Sequence, residues 1–217
     1  MSLKTALKNI LKRQGYAIQR LDFQSAYIER MYEKIQGVKG DIVECGVGKI
    51  GTFKVLASLV EKERANRTLW GFDSFEGFPE PAPEDASPRN PKKGEWKCIE
   101  AEDVPKFLAI SGVDEDFISQ RIKIVKGFFE DSLPKCPVGP IALLHLDVDL
   151  YGSYRTCLHH LFPKVSQGGV VLFDEYMNRN EEERFPGAKK AIDEYFEGSG
   201  HKLQRDKLSG KYFLIKT

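Results

Sequence analysis

The chain has 217 residues, which is enough for one α/β domain with a full core and too few for two ordinary domains without a visible linker. Its 33 Lys and Arg against 32 Asp and Glu leave a net charge of +1, so we expect neither nucleic acid nor an anionic membrane as a partner. The apolar runs are strand-sized and the segment MSLKTALKNILKRQGY lacks the core of a secretion signal, so we expect a cytoplasmic protein that binds a small molecule.

The predicted elements begin with two helices in residues 1–36, the second spanning Ser25 to Gln36, which we expect to form an N-terminal helical lid. In residues 37–217, the predicted main domain, β-rich runs alternate with longer amphipathic or polar stretches, as in βαβ units around a parallel sheet. The runs are Asp41 to Cys45, Thr68 to Phe72, Ile122 to Val125, Ile141 to Leu146 and Gly169 to Phe173.

The remaining elements complete the sheet. Tyr154 to Val165 is predicted to be a crossover helix, closed by the glycines of Gln167-Gly168-Gly169, and Gly187 to Tyr195 is another short helix. The segment HKLQRDKLSGKYFLIKT predicts a terminal antiparallel hairpin with its turn at Ser209-Gly210. The fold class is therefore α/β, with a doubly wound, mostly parallel, Rossmann-like sheet.

Residues 77–96 resist this pattern, because five prolines and many charges exclude a regular element. We predict a long surface loop. Loops of this length inside compact domains are either binding lids or disordered segments, and the sequence leaves both interpretations open.

A glycine-rich turn follows the first predicted strand in DIVECGVGKIGTF, where Gly46, Gly48 and Gly51 precede a helix that begins near Thr52. Glycines at this place let the backbone approach a ligand, and the helix N-terminus offers free N–H groups. Such turns also occur for purely structural reasons, so the motif alone leaves nucleotide binding open.

An acid after the second strand, Asp73, stands twenty-seven residues after Gly46, where a carboxylate can accept the ribose hydroxyls of a nucleoside. Glu44 precedes the first glycine by two residues, at a place where a dehydrogenase would carry a small apolar residue. An acid there can meet the amino group of a methionine moiety. The pair favours S-adenosylmethionine over NAD.

The third strand leads into KGFFEDSLP, where Phe128 or Phe129 could flank an adenine and Glu130 or Asp131 could hydrogen-bond it. Core packing is the alternative for two adjacent phenylalanines, and we expect at least one of them to be a core residue.

Four acids follow the fourth and fifth strands: Asp147, Asp149, Asp174 and Glu175. The carboxyl ends of parallel strands meet at one edge, so these acids should converge and would repel one another unless they shared a cation. Mg²⁺ takes such oxygen ligands and leaves positions open for substrate oxygens. Helix capping is the alternative, and it explains one acid per junction rather than two.

The chain resembles the macrocin O-methyltransferase family, whose members methylate sugar hydroxyls of macrolide and aminocoumarin antibiotics. The resemblance runs from about Asp41 to Tyr212 and rests on GDIVECGV, GFDSFEGFP, KGFFEDSLP, LHLDVDLYGS, PKVSQGGVVLFDEY and PGAKKAIDEY. It implies a seven-stranded class I methyltransferase fold and S-adenosylmethionine as the methyl donor. It also implies an enzyme that acts on a sugar or glycosylated small molecule and forms a homodimer.

The resemblance implies site residues as well. Asp147, Asp174 and Glu175 would bind Mg²⁺, with Glu175 standing where the family usually has Asp, and Asp149 would take the proton of the acceptor. Together with the residue patterns above, it gives these candidate cofactor contacts: Glu44, Gly46, Gly48, Thr52, Asp73, Ser74, Phe129, Glu130, Asp131 and Asp147.

Two other functions stay open at this point. One keeps the fold and the cofactor but methylates a catechol or another phenol, and we argue against it because no lysine is expected near Asp147 to act as the base. The other is a module that binds S-adenosylmethionine without turnover. Four acids retained at one edge argue against that module.

Overall fold

The computed structural model describes residues 23–63, 65–177 and 181–217. Within these ranges seven strands form one sheet in the order β3-β2-β1-β4-β5-β7-β6. β1 to β5 are parallel, and β7 is antiparallel to both β5 and β6. The strands are β1 (Asp41–Cys45), β2 (Leu69–Asp73), β3 (Ile122–Lys126), β4 (Ile141–Leu146), β5 (Val165–Phe173), β6 (Gln204–Arg205) and β7 (Tyr212–Ile215). The predicted fold class and terminal hairpin are confirmed.

Helices cover both faces of this sheet. They are α1 (Phe23–Glu33), α2 (Gly51–Lys62), α3 (Val104–Ile110), α4 (Glu115–Arg121), α5 (Phe129–Ser132), α6 (Tyr151–Leu161), α7 (Glu181–Arg184) and α8 (Pro186–Phe196). Alternate residues of the central strands point to opposite faces, so each face of the sheet carries its own apolar core. α1 and α2 pack on one face, and α6 and α8 pack on the other. Among the helices of the described ranges, none has the length and apolar character needed to cross a bilayer.

The N-terminal segment is described from Phe23 onward, so the first predicted helix lies outside the described residues. The second helix is present as α1, and its buried residues Tyr27, Ile28 and Met31 pack in the same core as Phe53 of α2. That residues 1–36 act as a lid stays a prediction.

The prediction for the segment between β4 and β5 is wrong in its boundaries. α6 begins at Tyr151 and ends at Leu161, because Pro163 lies in a separate 3₁₀ turn and cannot continue an α-helix. β5 already begins at Val165 and contains Gly168, which has φ +78° and donates its N–H to the Lys216 carbonyl. Gly168 therefore allows an irregular backbone conformation inside β5, and it does not end a helix.

Gly46 directly follows β1 and lies against Asp147, which directly follows β4, at the place where the strand order of the parallel sheet reverses. It has φ +86°, and a Cβ at this position would lie 1.8 Å from the Asp147 carbonyl oxygen. We expect Gly46→Ala to lower the free energy of unfolding by about 3 kcal/mol or more, since both the backbone conformation and the space forbid a side chain.

Urea unfolding monitored by circular dichroism measures this loss. Gly51→Ala is the matched control, because Gly51 lies in the same turn, has no positive φ and would place its Cβ in open space. Equal stability of the two variants would contradict the expectation.

Candidate active site

A cavity of about 380 Å³ opens at the carboxyl ends of the parallel strands, where β1 and β4 lie side by side. In a doubly wound sheet this is the point at which consecutive crossovers leave toward opposite faces, and the diverging loops leave a crevice there. The following predicted cofactor residues line the cavity: Glu44, Gly46, Gly48, Thr52, Asp73, Ser74, Phe129, Glu130 and Asp147. Asp131 does not. It lines a separate surface pocket with Trp70 and Lys135.

Glu44 contributes a buried carboxylate to the cavity. Its Oε1 lies 2.8 Å from Nδ1 of His145, and both side chains are about 1% exposed. Its Oε2 is buried and has no hydrogen-bond partner in the part of the chain that the structure describes. A buried oxygen of this kind costs free energy unless a ligand supplies a donor.

The charge state of this pair follows from burial and proximity. Burial raises the pKa of Glu44, with His145 acting against it. Burial alone would lower the pKa of His145, but the neighbouring carboxylates of Glu44 and Asp147 raise it above its usual value. Both directions favour the state in which a proton is held between the two side chains.

Asp73 and the start of α2 form the next part of the wall. The Asp73 carboxylate accepts the N–H groups of Gly48 at 2.9 Å and Phe75 at 2.7 Å, which fixes its orientation at the end of β2. Ile50 precedes α2 without a side-chain cap, so the first N–H groups of that helix remain available to an anion such as a carboxylate.

A group of acids lies at the ends of β4 and β5. Asp147 and Asp149 line the cavity, whereas Asp174 and the buried Glu175 do not. Ligand oxygens of Asp147, Asp149 and Glu175 lie within 4.8 Å of one another. Asp149 has φ +57° and donates its N–H to Glu175 Oε2, which also accepts the hydroxyl of Tyr154 at 2.6 Å. Two ionised carboxylates at this spacing repel by about 3 kcal/mol at an effective dielectric constant of about 20, so the group favours a bound cation.

The pKa values of these acids reflect their crowding. Burial and the neighbouring Asp174 carboxylate raise the pKa of Asp147 to about 7. Burial and the carboxylates of Asp149 and Asp147 raise the pKa of Glu175 well above its usual value.

These raised values predict how stability depends on pH. The folded chain binds more protons than the unfolded one, so the free energy of unfolding should fall as the pH rises from about 4 through 7 in the absence of divalent cations. We expect Asp147→Asn to gain about 1–2 kcal/mol over the natural chain at pH 8, because it removes one of the repelling charges. Urea unfolding at pH 5 and pH 8 in EDTA measures both effects. Greater stability of the natural chain at pH 8 than at pH 5 would contradict them.

Asp174 lies beside this acid group with partners of its own. Its Oδ1 is bonded to the ammonium of Lys211, and Gln24 Nε2 of α1 lies 3.4 Å from the same oxygen. Burial acts to raise the pKa of Asp174, but Lys211, His145 and Gln24 together outweigh it and the pKa falls below its usual value. The structure therefore brings Asp147 and Glu175 together, and it pairs Asp174 with Lys211.

Lys211 is one of two residues near the acids that sequence reasoning missed. We expected no lysine near Asp147, and that expectation is wrong, because the terminal hairpin brings Lys211 to the edge of the acid group. Lys211 lies 64 positions after Asp147 in the chain, and no sequence pattern indicates that the two residues are close in space. Tyr154 was also missed as a partner of Glu175, although its place one turn into α6 puts it under the end of β4.

Comparison with known proteins gives a consistent result. The family model described as macrocin-O-methyltransferase (TylF) matches residues 15–203. Demethyldecarbamoylnovobiocin O-methyltransferase of Streptomyces niveus is 31% identical over 163 residues, which cover 73% of this chain and 58% of that protein.

A second relative is 8-demethyl-8-(2,3-dimethoxy-alpha-L-rhamnosyl)-tetracenomycin-C 4'-O-methyltransferase of Streptomyces olivaceus. It is 32% identical over 162 residues, which cover 73% of this chain and 60% of that protein. This chain thus spans less than two thirds of the length of either relative. Among solved structures, the O-methyltransferase NovP is similar with a TM-score of 0.74 and 28% identity, covering 89% of this chain and 80% of that one.

Proposed function

Because the chain belongs to the macrocin-O-methyltransferase family, we propose that it transfers a methyl group from S-adenosylmethionine to a hydroxyl of a sugar carried by a small molecule. One observation carries the proposal. The same cavity is lined by Glu44, whose Oε2 is unpartnered, and by Asp147 and Asp149, which crowd against Glu175 at the ends of β4 and β5. The rhamnosyl group in the name of the Streptomyces olivaceus relative supports a sugar as the acceptor.

The residues along β1 and β2 fit S-adenosylmethionine. Glu44 Oε2 would accept the ammonium of the methionine moiety, and the uncapped start of α2 would face its carboxylate. Asp73, already oriented by two backbone N–H groups, would accept the ribose hydroxyls with its remaining lone pairs. Phe129 and Glu130 would meet the adenine at the end of β3.

The acids along β4 and β5 fit a hard divalent cation, because buried carboxylate oxygens are the donors that Mg²⁺ takes. We propose that Asp147, Asp174 and Glu175 hold Mg²⁺, which requires Asp174 to exchange Lys211 for the ion. When bound, the ion would lower the pKa of an acceptor hydroxyl. Asp149 would take the proton as the methyl group moves, and the enclosing residues would keep water from competing.

A phenolic acceptor is the second candidate, and the observation that favours it is Lys211 at this edge of the sheet. A lysine near the acceptor can take a proton from a phenol, whose pKa is close to that of the lysine itself. We also propose a homodimer and a cytoplasmic location, as expected from the sequence. Neither property distinguishes the two acceptors.

A transfer assay with radiolabelled S-adenosylmethionine separates these functions. The acceptors are methyl α-L-rhamnopyranoside, TDP-L-rhamnose and catechol, each with and without Mg²⁺. Label in the two rhamnosides supports the proposal, and label in catechol alone supports the phenolic candidate. A third outcome would support a module without turnover. In that case calorimetry would show binding of S-adenosylhomocysteine, but no compound in a mixed extract of natural products would be methylated.

A further inference from the structure

Trp96 is a large exposed aromatic residue on the wall of the cavity. Its side chain is 49% exposed, although it lines the same cavity as Asp147 and Asp149. It lies at the end of the proline-rich segment of residues 77–96, which also contributes Phe78 and Glu95 to the lining of the cavity. The sequence left a binding lid and a disordered segment open for these residues. Their place in the cavity lining favours a role in binding.

Neighbouring side chains hold the Trp96 ring in place. The Phe78 ring centroid lies 5.2 Å from it, and the Phe185 ring meets it at 5.8 Å with an interplanar angle of 64°. The guanidinium carbon of Arg89 lies 4.8 Å from the ring centroid, and Arg89 Nη1 also binds Glu95 Oε2 at 2.6 Å. The ring therefore belongs to a built surface, in which Arg89 joins the aromatic residues to an acid.

The backbone at Trp96 also departs from the usual conformation. Its φ is +63°, in the left-handed region that bulky residues seldom adopt. Such conformations persist where the surroundings fix them, and they cluster at ligand-binding sites.

The backbone beside Trp96 is bonded to the segment after β2, where Phe78 donates its N–H to the Glu95 carbonyl, but the contacts of the Trp96 ring extend to the other half of the cavity. Phe185, its ring partner, lies just before α8 on the side of β5. Asp85 of the same loop accepts the N–H of Tyr151 at 2.8 Å, which ties the loop to the start of α6 after β4. Phe129 and Glu130, the residues proposed for the adenine, follow β3, which is separated from β5 by three strands of the sheet.

We propose that Trp96 is the surface on which the acceptor sugar stacks, with Glu95 accepting a hydroxyl of the same ring. A pyranose presents C–H groups on one face and hydroxyls at its rim. An exposed indole beside a fixed carboxylate is complementary to both. The inference rests on the proposed function and adds a specificity-determining residue to it.

The test compares Trp96→Ala and Trp96→Phe in the transfer assay with methyl α-L-rhamnopyranoside and TDP-L-rhamnose. We expect Trp96→Ala to raise the KM of the sugar about tenfold, equivalent to about 1.4 kcal/mol, with kcat and the Kd of S-adenosylhomocysteine unchanged. Trp96→Phe keeps a ring and should stay within about threefold of the natural chain. Phe107→Ala is the control, because Phe107 is an exposed aromatic residue that does not line the cavity.

Fluorescence provides a measurement in which Trp96 itself is retained. The chain has two tryptophans, so Trp70→Phe leaves Trp96 as the only tryptophan, whose emission is excited selectively at wavelengths that tyrosine does not absorb. We expect its emission to change when methyl α-L-rhamnopyranoside is added to the S-adenosylhomocysteine complex, and not when S-adenosylhomocysteine is added alone.

Three results would overturn the inference. A rhamnoside that is methylated with the same KM by Trp96→Ala contradicts stacking and leaves the proposed function intact. Weaker binding of S-adenosylhomocysteine by Trp96→Ala, or an emission change with this ligand alone, would place the adenine on Trp96. If neither rhamnoside is methylated or changes the emission, the inference fails together with the sugar assignment.

Discussion

Replacement of Glu44 by Gln is expected to weaken the binding of S-adenosylhomocysteine about 100-fold, a loss of about 2.7 kcal/mol. The Gln side chain can keep the contact with His145 through its carbonyl oxygen. At the position of Oε2 it presents an NH₂ group, which would face the ligand ammonium with donors on both sides. The variant thus removes a buried, charge-assisted hydrogen bond and leaves the size of the side chain unchanged.

The ligand itself supplies the control for this experiment. 5'-Methylthioadenosine has the same nucleoside but lacks the amino acid moiety, so its Kd should differ by less than about twofold between Glu44→Gln and the natural chain. Calorimetry with both ligands measures the difference. An equal loss for the two ligands would mean that Glu44 does not meet the methionine moiety.

Replacement of Asp149 by Asn is expected to lower kcat about 1000-fold while the Kd of S-adenosylhomocysteine stays unchanged. Asp149 is 5% exposed, lines the cavity and would take the proton of the acceptor. Asn tolerates the left-handed backbone at this position, φ +57°, so the loop after β4 should keep its shape. Asp131→Asn, outside the cavity, is the matched control and should retain full activity.

The dependence on Mg²⁺ in the same assay distinguishes two roles for Asp149. If Asp149 is a proton acceptor, Asp149→Asn should leave the Mg²⁺ concentration for half-maximal rate unchanged, whereas Asp174→Asn should raise that concentration. As a ligand, which its place in the acid group permits, Asp149→Asn should recover activity when Mg²⁺ is raised. Such recovery would contradict the role proposed here.

Much of this site was predictable because parallel strands end at a common edge. Glu44, Asp73 and Asp147 lie at or beside the carboxyl end of a strand that a short apolar run identifies, so their convergence requires only the correct sheet order. Alternating strands and helices limit the possible strand orders to a few, and the structure shows which of them is adopted.

Other features depend on contacts that no local pattern encodes. Asp131 lies outside the cavity because consecutive residues of a helix point in different directions, and in α5 the neighbour Glu130 takes the inward position. Lys211 and Gln24 reach Asp174 from opposite ends of the described chain. The proline-rich segment has no periodicity, so the packing of Trp96, Arg89 and Phe185 could be found only in three dimensions.

The acids at the ends of β4 and β5 are proposed to form a cation site beside the methyl donor. Electron paramagnetic resonance of Mn²⁺, in the presence of S-adenosylhomocysteine, tests it without knowledge of the acceptor. We expect the natural chain to bind one Mn²⁺ that Mg²⁺ displaces, and the double variant Asp147→Asn, Glu175→Gln to bind none at the same concentrations. Equal Mn²⁺ binding by the two proteins, or no binding by the natural chain at millimolar Mn²⁺, would contradict the claim.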